Sequence, residues 1–235
     1  IGVVNEEELA TVEAVLQDGP FEFEGIFTHF ATADEADTTQ LTKQIEKFRH
    51  LVDELSVKPA HVHYSNSAYA LWHGAGNSAI VRYGIGIYGI NPSNGDLALK
   101  DEAALTPALR WETEMVKVKK LEAGDTVSYG ATYTADEPQW VATLPVGYAD
   151  GFIRTYNKGD VLVDGVRCPI VGRICMDQCM IRLPHEFPVG TTVTLLGKDG
   201  DEEITAIELA KRSETIAYEV FCIISDRVKR VYINE

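Results

Sequence analysis

The sequence predicts a parallel α/β half, residues 1–103, followed by a β-rich second domain, residues 104–235. Three observations predict it. Strand-like and helix-like runs alternate through the first half, the pattern of βαβ units and a parallel sheet. After Pro107 the chain turns to short apolar runs separated by turn residues. No repeat, low-complexity tract or long linker intervenes, and 235 residues leave room for two moderate domains.

In order, Asn5 can cap a first helix with Glu8 reaching back from its third position, and Leu9, Val12 and Leu16 recur at helical spacing. Asp18-Gly19-Pro20 ends that helix, with Gly suited to a left-handed exit. Gly25 to Phe30 reads as a buried strand. Asp37 can cap a second helix whose stripe is Leu41, Ile45, Phe48, Leu51, Val52 and Leu55. His61 to Ser65 is a strand, Asn66 to His73 a short helix, and Ala79 to Tyr83 a third strand. Three such strands cannot close a sheet of their own.

Beyond Pro107, Leu109 and Trp111 alternate before the apolar phase flips to Val116 and Val118, as a bulge would produce. Strand-like runs follow at 126–129, 140–146, 161–163, 166–171, 180–183 and 192–196. Asp164-Gly165 is a two-residue hairpin signal, and Lys198-Asp199-Gly200-Asp201 marks another turn. Residues 204–210 and 214–222 read as helices and 227–233 as a last strand.

The formal net charge of −15 argues against a nucleic-acid partner and against an anionic membrane surface. No long apolar run suggests a membrane span or leader. Four cysteines, Cys168, Cys175, Cys179 and Cys222, are too sparse for a disulfide framework, so reduced thiols in a cytoplasmic protein are expected. The alternation around Cys175 and Cys179 reads as strand, not zinc site; His61 and His63 share a strand face without a third ligand, so no metal is expected.

Functional residues of a parallel α/β barrel sit at the carboxyl ends of strands. Here those ends offer His29, then Asn66 and Ser67, then Arg82, Gly84 and Ile85. A hydroxyl opening a helix and a glycine allowing close backbone approach suit a phosphate. Each residue alone has a plainer reading, as a structural histidine or a surface ion pair. Downstream, Val127-Ser128-Tyr129-Gly130-Ala131-Thr132-Tyr133-Thr134 puts a phenol on a short polar loop, and by itself Tyr129 reads as a half-buried strand tyrosine.

Together with Val171-Gly172-Arg173-Ile174-Cys175-Met176-Asp177-Gln178, that loop resembles the carboxy-terminal half of alanine racemase. Thr28-His29-Phe30-Ala31-Thr32-Ala33-Asp34, Ser65-Asn66-Ser67-Ala68, Arg82-Tyr83-Gly84-Ile85 and Tyr88-Gly89 resemble that family's barrel segments, in order and at compatible spacing. The resemblance implies a partial TIM-like barrel of pyridoxal 5'-phosphate (PLP) fold-type III with a β-rich domain behind it. It implies conversion of L-alanine to D-alanine, a peptidoglycan precursor, by a head-to-tail homodimer with shared active sites.

By resemblance, Tyr129 is one of two acid/base groups, in a chain with His29 and Arg82, and Arg82 meets the pyridine nitrogen of PLP. Ser67, Gly84, Ile85 and Tyr218 match phosphate-binding positions, with Asn66 beside them. Met176, next to Cys175, matches the position that receives the substrate carboxylate, and Tyr148 matches a tyrosine near the entrance. The family's PLP lysine lies on an earlier strand, upstream of Ile1-Gly2, and no segment here carries its motif. A phenol with pKa about 10 leaves roughly one phenolate in a thousand at about pH 7, a cost near 4 kcal/mol, so Tyr129 needs help from neighbours.

Three other readings compete. Basic amino acid decarboxylases share the plan, but their substrate-arm cysteine context is not found. A serine or broad-spectrum racemase would differ only in small pocket changes. A non-catalytic dimerisation or binding fragment would explain a chain without the lysine.

Overall fold

Helix caps and parallel pairings build the first of two units, Ile1–Thr106 and Pro107–Glu235. The computed structural model describes residues 2–99 and 104–233; Ile1 and the residues at the expected 103/104 boundary, 100–103, lie outside the described residues. Helix α1 (Glu6–Asp18) begins where the Asn5 side chain accepts the Glu8 N–H at 2.8 Å. The Glu8 carboxylate accepts from the Val4 N–H, one residue earlier than the expected capping box. Val12 is exposed, and the helix packs mainly through Leu9 against Leu51 and Leu55. Gly19 is extended (φ −98°) instead of left-handed; it matters as a close approach, since a Cβ there would stand 2.7 Å from the Val15 carbonyl oxygen.

Strand β1 (Gly25–Phe27) is shorter than expected and leads to α2 (Thr39–Glu54) and β2 (His61–His63), which pairs parallel with β1. Asp37 accepts the Thr39 N–H from one position before the cap, Thr38. The α2 stripe buries Leu41, Phe48 and Leu51 beside Phe30, Tyr64, Ala68 and Tyr69 or Leu9 and Leu55. Strand β3 (Ser65–Asn66), helix α3 (Ser67–His73) and strand β4 (Val81–Arg82) follow, with β3 parallel to β4. Asn66 caps α3 through the Tyr69 N–H. Both crossovers are helical, as parallel pairing requires.

The second unit is mostly antiparallel β. Strands β5 (Trp111–Glu114) and β6 (Lys117–Leu121) replace the expected bulged strand. A hairpin of β7 (Thr126–Val127) and β8 (Tyr133–Thr134) precedes β9 (Gln139–Leu144), β10 (Asp160–Val163), β11 (Val166–Val171), β12 (Cys179–Leu183), β13 (Thr192–Asp199) and β14 (Glu202–Ile204). The sheet order is β14-β13-β10-β11-β12-β9-β6, with β5 also on β13.

The apolar phase flip at 111–118 therefore marks a change of partner. Met115 N–H donates to Thr191 and Val116 N–H to Thr143, so one continuous stretch borders both ends of the sheet. That is possible only if the sheet curls round. Asp164 and Gly165 have φ of 51° and 74°, the paired positive values of a type I′ hairpin turn. Helices α4 (Ala206–Arg212) and α5 (Ala217–Cys222) pack on the unit, whereas residues 227–233 form no strand: Val231, Tyr232 and Ile233 stay exposed, their apolar alternation unmatched by any ladder.

At the centre Trp111, Phe152 and Tyr156 meet edge to face. Tyr156 is wholly buried and its hydroxyl has no partner among the described residues; burial first, and then Glu219, push its pKa up to about 12. Tyr156→Phe is expected to leave stability unchanged or raise it, while Tyr156→Ala lowers it by about 3–5 kcal/mol through a cavity. Denaturant midpoints check this; a clear loss on the Phe substitution would show that the hydroxyl is satisfied after all.

Candidate active site

At the strand ends of the first unit, Arg82 gathers four acceptors. Its Nη1 donates to His63 Nδ1 at 2.6 Å, and its Nη2 to the Thr28 carbonyl at 2.9 Å, with the Tyr64 carbonyl at 3.4 Å and His29 Nδ1 at 3.5 Å. The last two are long and weak. A guanidinium has only donors, so His63 must present a bare Nδ1 and carry its proton on Nε2. Burial, reinforced by the Arg82 and His61 charges, holds the His63 imidazole below its ordinary range and keeps it neutral. Phe27 stacks on His63 (ring centroids 5.4 Å apart), and the Arg82 guanidinium lies 5.3 Å from the Phe27 ring centre.

One step further along these strands, the Ser67 hydroxyl accepts the Gly84 N–H at 2.8 Å and keeps its own proton to give. The N–H of Ile85, first in the short 3-10 turn Ile85–Tyr88, takes no acceptor among the described residues. Asn66 sits at the start of α3 beside Ser67, its side chain engaged as the cap. Asn66, Ser67, Arg82, Gly84 and Ile85 are thus brought together at one end of β3 and β4, and His29 adjoins them through Arg82.

In the second unit Tyr129 opens a short 3-10 turn between β7 and β8, and its side chain is 76% exposed. The residues on either side are unusual: Ser128, Gly130 and Ala131 all have positive φ. Ser128 Oγ accepts the Arg173 N–H at 2.8 Å and donates to the Arg173 carbonyl at 3.1 Å, tying the Tyr129 loop to the segment before Cys175. That segment, expected as strand, is a loop that ends where β12 begins at Cys179. A Cβ on Gly147 would fall 2.2 Å from the Cys175 carbonyl oxygen, so only glycine lets the two backbones touch. Tyr148 N–H then donates to Cys175 and Ala149 N–H to Met176.

Tyr129, Tyr148, Cys175 and Met176 therefore share the wall of one cavity of about 350 Å³, with Arg154, Arg173 and Asp177. Asp150, salt-bridged to Arg227 at 2.9 Å, accepts the Gly147 N–H and steadies the Tyr148 turn. Tyr218 lies on α5.

Sequence reasoning missed His63, whose role comes from a partner nineteen residues away, and the two cavity arginines: Arg154 carries no motif, and Arg173 was read only as part of the 171–178 run. It also passed over Ser128, although Gly172 downstream was a hint of close backbone approach.

The first unit's residues fit PLP. An anion finds the Ser67 hydroxyl and the Ile85 N–H beside a glycine that gives it room, and an aromatic nitrogen base finds a held cation. Because the folded state lowers the His63 pKa, the unfolded chain takes up a proton first as pH falls below about 6.5. Stability present above that pH is then lost progressively on the acid side. His63→Gln is expected to flatten this loss relative to the unaltered chain, checked by denaturant midpoints at about pH 7.5 and about pH 5.5.

Residues 1–92 match the alanine racemase N-terminal domain and residues 108–232 the alanine racemase C-terminal domain. The alanine racemase of Lactiplantibacillus plantarum is 50% identical over 236 residues, covering all of this chain and 62% of that protein. The crystal structure of alanine racemase from E. faecalis superposes with a TM-score of 0.92 at 49% identity, over 97% of this chain and 61% of that one. A histidine racemase from Leuconostoc mesenteroides subsp. sake superposes with a TM-score of 0.88 at 34% identity, over 97% and 62%. The chain thus spans about three-fifths of the length of the relatives it matches. Two successive domain matches, on a fold with both units in the same order, carry the assignment: this chain belongs to the alanine racemase family.

Proposed function

We propose that these residues are about three-fifths of a PLP-dependent alanine racemase that makes D-alanine for peptidoglycan. The observation that carries this reading is Arg82, a cation held by His63 and Thr28 beside the Ser67–Gly84 cradle. A racemase removes a proton from one face of the amino acid α-carbon and returns one to the other. When bound, PLP supplies the electron sink for this exchange.

The chain's own residues do the rest. Ser67, Gly84 and Ile85 would bind the phosphate, with Asn66 shaping the turn, and Tyr218 matches a further phosphate-binding position of the family. Arg82 donates a hydrogen bond to the ring nitrogen without giving up its proton, because a guanidinium stays charged. The Met176 N–H, beside Cys175, receives the substrate carboxylate, and Tyr148 lines the way in.

Tyr129 is the acid/base group for one face. In a head-to-tail homodimer it enters the partner subunit's site, where it meets His29 and Arg82. The exposure of Tyr129 supports that role, since a side chain 76% open to its own unit is free to serve another surface. The other acid/base group is the family's lysine, whose motif is not found in these residues. The free thiols fit a cytoplasmic protein.

A second reading, an amino acid racemase with a different or broader substrate range, is favoured by the histidine racemase on the same fold. Serine is the nearest candidate, since it differs from alanine by one hydroxyl.

The test is to incubate the full-length protein with PLP and L-alanine and follow D-alanine by chiral chromatography. D-Alanine should accumulate, while these 235 residues alone should yield none. Turnover by the short chain would overturn its reading as a partial site, and serine or histidine outpacing alanine would favour the second reading. Tyr129→Phe in the full-length protein should lower kcat about 10²- to 10⁴-fold with its thermal stability unchanged, the loss expected for a general base. Unaltered turnover would remove Tyr129 from the chemistry.

A further inference from the structure

The Tyr129 side chain has no hydrogen-bond partner among the described residues and little packing, so only its backbone can aim it. That backbone is not a relaxed one. Ser128 lies at φ 76° and ψ 166°, a region essentially reserved for glycine. Gly130 and Ala131, immediately after, have φ of 76° and 48°. A conformation of this kind persists only where its surroundings enforce it.

The enforcement is specific. Strands β7 and β8 fix the feet of the loop, pairing Thr126 with Thr134 and Val127 with Tyr133. Above that pairing, the side-chain bonds holding Ser128 are the two between its hydroxyl and the Arg173 backbone, one accepted and one donated. They need Gly172: a Cβ there would come within 2.5 Å of the Ser128 Cβ. Arg173 in turn leads into Cys175 and Met176, whose carbonyls accept from Tyr148 and Ala149. One hydroxyl therefore ties the loop carrying the phenol to the loop carrying the carboxylate site.

We propose that Ser128 is a positioning residue for racemisation: its hydroxyl, bonded twice to Arg173, holds a strained turn that sets the direction of the Tyr129 phenol. The proposal rests on the reading of Tyr129 as one acid/base group. It predicts that losing the hydroxyl slows proton transfer on the Tyr129 face and leaves the opposite face alone.

The test uses the full-length PLP-loaded protein with Ser128→Ala and Ser128→Gly. Glycine accepts this backbone without strain, so the second variant removes both bonds while protecting the fold. Each should lose about 10- to 100-fold in kcat, the scale of a small misplacement of a reacting group, with KM changed less. With alanine deuterated at the α-carbon, the isotope effect should rise for the enantiomer whose proton Tyr129 takes. It should fall or stay level for the other, because the slowed step then comes after the labelled bond has broken. A kcat equal to that of the unaltered protein, or a loss with both isotope effects unchanged, would overturn the assignment of Ser128. No turnover in the unaltered protein would instead overturn the underlying reading, and the proposal with it.

Discussion

A partly buried cation has to be surrounded by acceptors, and the first unit is arranged around that demand at Arg82. Its acceptors come from residues following β1 and from β2 and the residue after it, so one fork of donors gathers three strand ends. Burial, helped by the same charge, settles the state of His63, which stays neutral and turns a bare nitrogen toward the guanidinium. Burial lowers the Arg82 pKa as well, yet a guanidinium starts so high that it remains charged. What this offers a ligand is a donor that does not release its proton, beside the Ser67 hydroxyl and the Ile85 N–H, which suit an anion.

The second unit solves a different problem, namely how to bring backbone against backbone. Gly147 lies on the Cys175–Met176 carbonyls, Gly151 on Ile223, and Gly172 under Ser128, each at distances no Cβ would tolerate. The Gly147 and Gly172 approaches bring loops of very different sequence position into one wall around the Tyr129 cavity. The Asp150–Arg227 pair is half open to solvent on the arginine side, so its contribution lies more in orienting the Tyr148 turn than in stability.

Several elements were readable because their cause is local. Asp164-Gly165 demands positive φ at both positions, and the hairpin follows. Asn5 caps the first helix with its own side chain, as its spacing to Glu8 predicts. Other readings failed where the cause is remote. The alternation at 227–233 resembles a strand, but a strand exists only if an edge is available to pair with it. The two-residue strand β8 is defined solely by its pairing with β7, so nothing in Tyr133-Thr134 announces it. The phase flip at 111–118 was visible, but whether it meant a bulge or a change of partner depended on how far the sheet curls.

The sequence by itself determined the class of each half, many of its elements and, through motifs kept at compatible spacing, the family and the roster of candidate residues. These depend on periodicity and on residue chemistry, which are written along the chain. Only the tertiary structure decided which of those residues meet. It put His63 against Arg82, gave Ser67 the Gly84 N–H, and fastened Ser128 to Arg173 in a backbone conformation no propensity would suggest. The reason is physical: acceptor, donor and clearance are properties of distance, and residues 19, 17 and 45 positions apart become neighbours only after the strands have paired.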